Sequence, residues 1–270
     1  MNFIEKLAKA STNNSSLLCV GLDPDPALMP ERVSVFEFNK AIIDATADLV
    51  CAYKPNIAFY EALGSEGLDA LKRTREYIGY LGKDIPVIID AKRGDIGNTS
   101  RAYARSLFDY FNFDATTASP YLGFDSLEPF IAYHDRGVLV LCRTSNAGAM
   151  DFQSLACAYD GRIKKLFEIV AEKVNRWNVH GNLGLVVGAT YPEELKLIRE
   201  RYPEMPLLIP GVGAQGGELE QTVKLGADVR RQRTIINSSR QVIYASRGGD
   251  FATAARQAAQ ELRDRINSFL

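Results

Sequence analysis

The chain has 270 residues, long for an average domain but typical of one α/β barrel, so its length alone does not require a division. Hydrophobic residues at 46% and charged residues at 24% describe a globular protein with a large core, and a formal charge of -1 removes the electrostatic case for nucleic acid or an anionic membrane. Small molecules and further copies of the chain remain as partners.

The opening MNFIEKLAKA mixes Glu5 with Lys6 and Lys9 and has no long apolar stretch, so it reads as a short amphipathic helix and not as a signal peptide. From there, apolar β-rich runs alternate with helical patterns. Residues 17–21 form the first run and lead into GLDPDP; a helical stretch over 36–50 precedes the second run, 51–54. A helix over 68–81 precedes the third run, 87–92, and a helix over 100–111 precedes the fourth, 115–119. The fifth run, 138–144, is followed by the longest irregular connection, 145–160, which carries SNAG and DFQ and reads as a loop over a site. A helix over 163–177, the sixth run 185–190, a helix over 192–201, the seventh run 207–213, a helix over 219–225 and the eighth run 234–240 continue the alternation. Phe251, Ala255, Ala258, Leu262, Ile266 and Phe269 fall at three- and four-residue steps and close it with an amphipathic helix.

Eight βα units predict a (β/α)8 TIM barrel, a single domain over residues 1–270. An open doubly wound sheet is the competitor, but it would usually place GxGxxG after the first strand, where this chain has GLDPDP. No segment is apolar enough over its length to span a bilayer. Cys19, Cys51, Cys142 and Cys157 form no CxxC pair, and His134 and His180 sit in no metal-ligand spacing, which fits a reducing, cytoplasmic setting.

Barrel enzymes place their chemistry where strands end, and the polar residues collect there. Asp23 follows the first run, Lys54 ends the second, Asp90, Lys92 and Asp95 follow the third, Ser145 the fifth, Gln215 the seventh, and Arg240 ends the eighth. Read singly, Asp23 is equally a turn former within DPDP, and Lys54 equally a lysine whose stem lies along apolar surface. Asp90 and Lys92 are two apart, so extended backbone would face them to the same side. Ionised groups gathered at the edge of a dry core create a strong field, which catalysis uses and packing does not need. In IPGVGAQGG, Gly211, Gly213, Gly216 and Gly217 would let backbone amides approach an anion, and Arg240 adds a guanidinium suited to two phosphate oxygens. A phosphorylated small substrate follows. Asp90 and Asp95 could serve magnesium, but Lys92 between them competes for the same negative charge, so the site reads as metal-free.

These residues resemble the orotidine 5'-phosphate decarboxylases, in the bacterial subfamily that carries DAKRGDIG. VGLDPDP, YKPNIAFYE, DAKRGDIGNTS, ASPYLG, TSNAG, PGVGAQGG and NSSR occur in that family's order over nearly the whole chain. One departure is Ala147, where the family usually has proline in SNPG. The resemblance implies removal of the C6 carboxylate of orotidine 5'-phosphate to give UMP, the last step of de novo UMP synthesis, without metal or organic cofactor. It implies that Lys92 stabilises the developing carbanion and protonates C6, that Asp90 lies near the leaving carboxylate, and that Asp95 keeps Lys92 charged and oriented. Lys54 completes the charge network and, with Asp23, holds ribose hydroxyls; Ser145 reads the pyrimidine amide edge and Gln215 bridges a closing loop to phosphate. Asp95 and Thr99 would reach the neighbouring subunit's site, which implies a homodimer. The alternatives are a metal-dependent sugar-phosphate decarboxylase or aldol enzyme of the same superfamily, which a chelator would inactivate, and a catalytically silent nucleotide-binding barrel.

Overall fold

The computed structural model describes residues 1–212 and 218–270. Its strands are β1 (Leu18–Leu22), β2 (Ala52–Pro55), β3 (Ile88–Arg93), β4 (Ala115–Ala118), β5 (Gly137–Arg143), β6 (Ala156–Tyr159), β7 (Arg162–Lys165), β8 (Leu183–Val187), β9 (Leu207–Ile209) and β10 (Thr234–Ser238). Eight of them pair in parallel in the order β2-β1-β10-β9-β8-β5-β4-β3. The two ends of that order meet: Tyr53 bridges Val87, Asn56 bridges Asp90, and the Tyr53 amide donates to the Pro86 carbonyl at 3.1 Å. The sheet is therefore closed, and the eight-unit barrel read from the sequence is the fold.

Parallel strands covered by helices outside and packed side chains inside are dry on both faces, which is why they appear as continuous apolar runs. Every residue of β1 and of β10 is buried. The interior is filled by Cys19, Cys51, Ile88, Leu139, Leu208 and Ile235 with their neighbours, joined from below by Phe3 and Leu7. Those two residues belong to the helix Phe3–Asn13, whose start is fixed by a capping box between Asn2 and Glu5. This helix stoppers the N-terminal pole of the barrel. Gly137 makes room for it, since a Cβ there would overlap the Phe3 ring. The helix over Pro192–Arg201 has the bounds read from the sequence, because proline at its first turn marks the start.

The connection after β5 differs from its sequence reading. It contains a 3-10 turn, Ala147–Asp151, and an antiparallel hairpin of β6 and β7, and the following helix begins only at Leu166. Asp160 and Gly161 both have positive φ, at 49° and 71°, the conformation of a two-residue hairpin turn for which Asp-Gly is a preferred pair. Among the described residues no helix is long and apolar enough to cross a membrane.

Asp114 ties the stoppered pole together. Its carboxylate, with 4% of the side chain exposed, accepts from the Val87 amide at 2.9 Å and pairs with Lys6 at 2.6 Å and Arg75 at 3.4 Å. It thus joins the N-terminal helix, β3 and the helix Gly64–Tyr80. Asp114→Ala leaves a buried amide and two cations unmatched, so a loss of about 3 kcal/mol is expected. Urea unfolding of the variant should show a lower midpoint at an unchanged slope, and a midpoint equal to the parent's would remove Asp114 from the closure.

Candidate active site

Opposite the filled floor, at the C-terminal ends of the strands, lies a cavity of about 730 Å³. Its base is apolar, made by Leu141, Val186 and Leu208, and its walls hold Asp23, Lys54, Asp90, Lys92, Ser145 and Arg240 from five strand ends. The volume lies within the range of roughly 300–1,000 Å³ common for small-molecule sites.

Asp90 is the centre of the charge cluster. Lys54 Nζ lies 3.1 Å from its Oδ2 and Lys92 Nζ 2.7 Å from its Oδ1, so one carboxylate is shared by two ammonium groups. All three line the cavity, and side-chain exposure falls from 50% at Lys92 to 12% at Asp90 and 5% at Lys54, which makes Lys92 the most accessible of them. Burial alone would raise the Asp90 pKa, but the charges of Lys54 and Lys92 outweigh it and hold the carboxyl well below the usual carboxylate range. For Lys54, burial pulls the pKa down, and Asp90 and Asp23 more than reverse it, so its pKa is raised.

The backbone route to this cluster is not the regular alternation expected from the sequence. On β3, Ile89 pairs with Thr116 and Arg93 with Ala118, so residues 90–92 face Thr117 alone. Lys92 has a φ of 48°, a left-handed conformation that costs a side-chain-bearing residue on the order of 1–3 kcal/mol. A bulge, not a pleat, brings the lysine over its carboxylate. Thr117 holds it there: its hydroxyl donates to Asp90 Oδ1 at 2.8 Å and accepts from the Lys92 amide at 3.0 Å. Gly94 lets the strand end pass β4 closely, since a Cβ there would lie 2.7 Å from the Ser119 carbonyl oxygen.

The remaining walls are built in the same way. Asp23 Oδ1 accepts from the Asn56 amide at 3.1 Å, while Asp25, not Asp23, makes the local turn by accepting from Ala27 at 3.0 Å. A second bulge, in β5, sets Leu141 and Arg143 against the adjacent residues Val186 and Val187, and it leads into Ser145. Gln153 fixes the preceding residue, accepting from the Thr144 amide at 2.8 Å and donating to its hydroxyl at 2.9 Å. Arg240 opens a short helix, Arg240–Ile243, at the exposed rim. Across from it Gly211, with a φ of 93°, lines the cavity.

Of the residues singled out in the sequence, Asp23, Lys54, Asp90, Lys92, Ser145 and Arg240 line one cavity. Asp95 and Thr99 do not; Asp95 Oδ1 accepts from the Ile96 amide at 2.7 Å and Thr99 is exposed on the helix Gly97–Arg105. Gln215, Gly213, Gly216 and Gly217 lie outside the described residues. Thr117, Asn56, Gln153 and Tyr244 line the cavity without having been singled out. Apart from Asn56, directly after the Lys54-Pro55 pair, no local signal marks them.

Residues 16–258 match the family model described as "Orotidine 5'-phosphate decarboxylase / HUMPS family". The chain is 54% identical over 269 residues to an orotidine 5'-phosphate decarboxylase of Dehalococcoides mccartyi strain CBDB1, covering 100% of this chain and 98% of the relative. With one from Ralstonia pickettii it shares 52% identity over 275 residues, at 100% and 99% coverage. Its fold is similar to that of the Leishmania donovani OMP decarboxylase, with a TM-score of 0.84, 41% identity, and 100% and 98% of the two chains covered.

The charge cluster dictates a pH response. Because the Asp90 pKa is lowered on folding, its contribution to stability is complete above the unfolded carboxylate value of about 4 and fades as pH falls toward the folded value. Lys54, raised on folding, contributes fully below about 10 and less as pH rises through its folded value. Asp90→Asn removes the first dependence, so between about pH 4 and pH 2 the variant should lose less stability than the parent. Chemical denaturation across that range checks this, and parallel acid limbs would contradict the assignment.

Proposed function

Because the chain belongs to the orotidine 5'-phosphate decarboxylase / HUMPS family, we propose that it decarboxylates orotidine 5'-phosphate at C6, giving UMP and carbon dioxide as the last step of de novo UMP synthesis. The observation that carries this reading is the Asp90 carboxylate held between Lys54 and Lys92 at 3.1 and 2.7 Å on the cavity wall. In the reaction the bond from C6 to the carboxylate breaks, the electron pair stays on C6 and carbon dioxide leaves. The resulting anion lies in the ring plane and cannot delocalise into the π system, so a fixed positive charge is the available remedy. Lys92 supplies that charge and then a proton to C6, and Asp90, beside the leaving carboxylate, favours its departure by repulsion.

A unit-charge pair about 4 Å apart is worth on the order of 4 kcal/mol at an effective dielectric of 20, roughly a thousandfold in rate. The rest comes from binding. Arg240 and the glycine segment from Gly211 take the phosphate, Asp23 and Lys54 the ribose hydroxyls, Ser145 the pyrimidine amide edge, and Gln215 joins its loop to the phosphate. Both Asp90 oxygens are engaged by ammonium groups, which leaves that carboxylate a poor metal ligand and supports a reaction without metal or organic cofactor.

Asp95 and Thr99 act in the site of a second copy, and the chain, one domain over residues 1–270, works as a homodimer. Ile96, Tyr121, Leu122 and Phe124 are 56%, 79%, 49% and 41% exposed, an apolar surface near these residues that a partner subunit would cover. Four free cysteines fit a reducing cytoplasm as its place.

A spectrophotometric assay with orotidine 5'-phosphate, run with and without EDTA, tests the reaction; turnover of a sugar phosphate alone, abolished by chelator, would replace it with the metal-dependent alternative. Lys92→Ala should remove nearly all turnover while calorimetry finds UMP binding largely unchanged, and comparable turnover would end the role given to Lys92. For the dimer, hybrids of Lys92→Ala and Asp95→Ala subunits should regain about half the parent activity, one intact site in two, and hybrids as inactive as either variant would rule out the shared site.

A further inference from the structure

Tyr244 stands one helical turn after Arg240, its amide donating to the Arg240 carbonyl at 3.2 Å, on the short helix that begins at the phosphate side of the cavity. Its hydroxyl does not face that side. It crosses to the loop after β1, where it donates to the Asp23 carbonyl at 2.9 Å and accepts from the Asp25 amide at 2.6 Å. These two groups flank Pro24, which has no N–H of its own, so one phenol oxygen satisfies both free backbone groups of the turn. The two loops also touch directly: a Cβ on Gly21 would overlap the Ser239 hydroxyl. On the other side Asp23 Oδ1 is held by the Asn56 amide at 3.1 Å.

We infer that Tyr244 is a positioning residue that fixes the Asp23 carboxylate relative to the phosphate-binding helix, so that phosphate and ribose are gripped at one set separation. This rests on the reading that Asp23 binds a ribose hydroxyl. A carboxylate displaced by a fraction of an ångström weakens its hydrogen bond to a hydroxyl, whereas a phosphate held by Arg240 depends less on the β1 loop. The hydroxyl stays a donor across the working pH range, because burial, with Asp25 and Asp23 nearby, pushes its pKa up to about 12 against the opposing Asp25 amide bond.

Tyr244→Phe removes only the oxygen, since the ring remains stacked on Phe38 at 5.8 Å and 19°. Inhibition constants for UMP and for inorganic phosphate, measured against orotidine 5'-phosphate turnover, separate the two grips. The variant should weaken UMP roughly tenfold, about 1.4 kcal/mol, with phosphate unchanged within about twofold. Asp23→Ala should weaken UMP by at least as much, and adding Tyr244→Phe to it should have little further effect. An unchanged UMP constant in Tyr244→Phe, a parallel loss for phosphate, or multiplying effects in the double variant would each overturn the inference. If Asp23→Ala leaves UMP binding intact, the ribose assignment itself falls, and the inference with it.

Discussion

Two ammonium groups sharing one carboxylate is the arrangement on which this barrel's mouth depends. Lys54 and Lys92 would repel each other over an apolar base, and the Asp90 carboxylate between them offsets that repulsion and, with Asp23, holds the buried Lys54 charged. The net result is one positive charge, presented by the more exposed lysine, at a place where water is partly displaced by Leu141, Val186 and Leu208. Thr117 completes the arrangement by fixing both the carboxylate and the lysine backbone. In such a setting a charge is already oriented when negative charge develops on a substrate, and little reorganisation remains to be done.

The scaffold supplies rigidity and the irregularities supply aim. Strands held by neighbours on both sides cannot easily turn a side chain, and two of the strands whose ends line the cavity, β3 and β5, each carry a register shift there. The strain at Lys92 is tolerated because the closed sheet around it over-determines its backbone.

Much of this was legible in the sequence, for a physical reason. Parallel strands buried on both faces leave uninterrupted apolar runs, so eight runs gave eight strands, and charge placed directly after an apolar run is costly enough to mark Asp90 and Lys92. Asp90 and Lys92 do meet, but through a bulge and not the regular pleat that their two-residue spacing implies, because a bulge leaves no trace in residue order. The β6–β7 hairpin was hidden for a different cause: its strands are largely exposed and lack an apolar face, so only the Asp160-Gly161 turn betrays them. Thr117 and Tyr244 were invisible because their roles arise from partners 27 and 221 residues away, a relation that exists only once the barrel has closed.

The stopper formed by Phe3 and Leu7 bears on traffic through the molecule. Among the described residues, a cylinder plugged at one pole is left with a single doorway. Whatever enters to react must leave by the threshold it crossed, so departure of the spent molecule and arrival of the next are mutually exclusive events. Among the described residues no rear exit shortens the cycle, and the mouth that Arg240 lines serves both directions of passage.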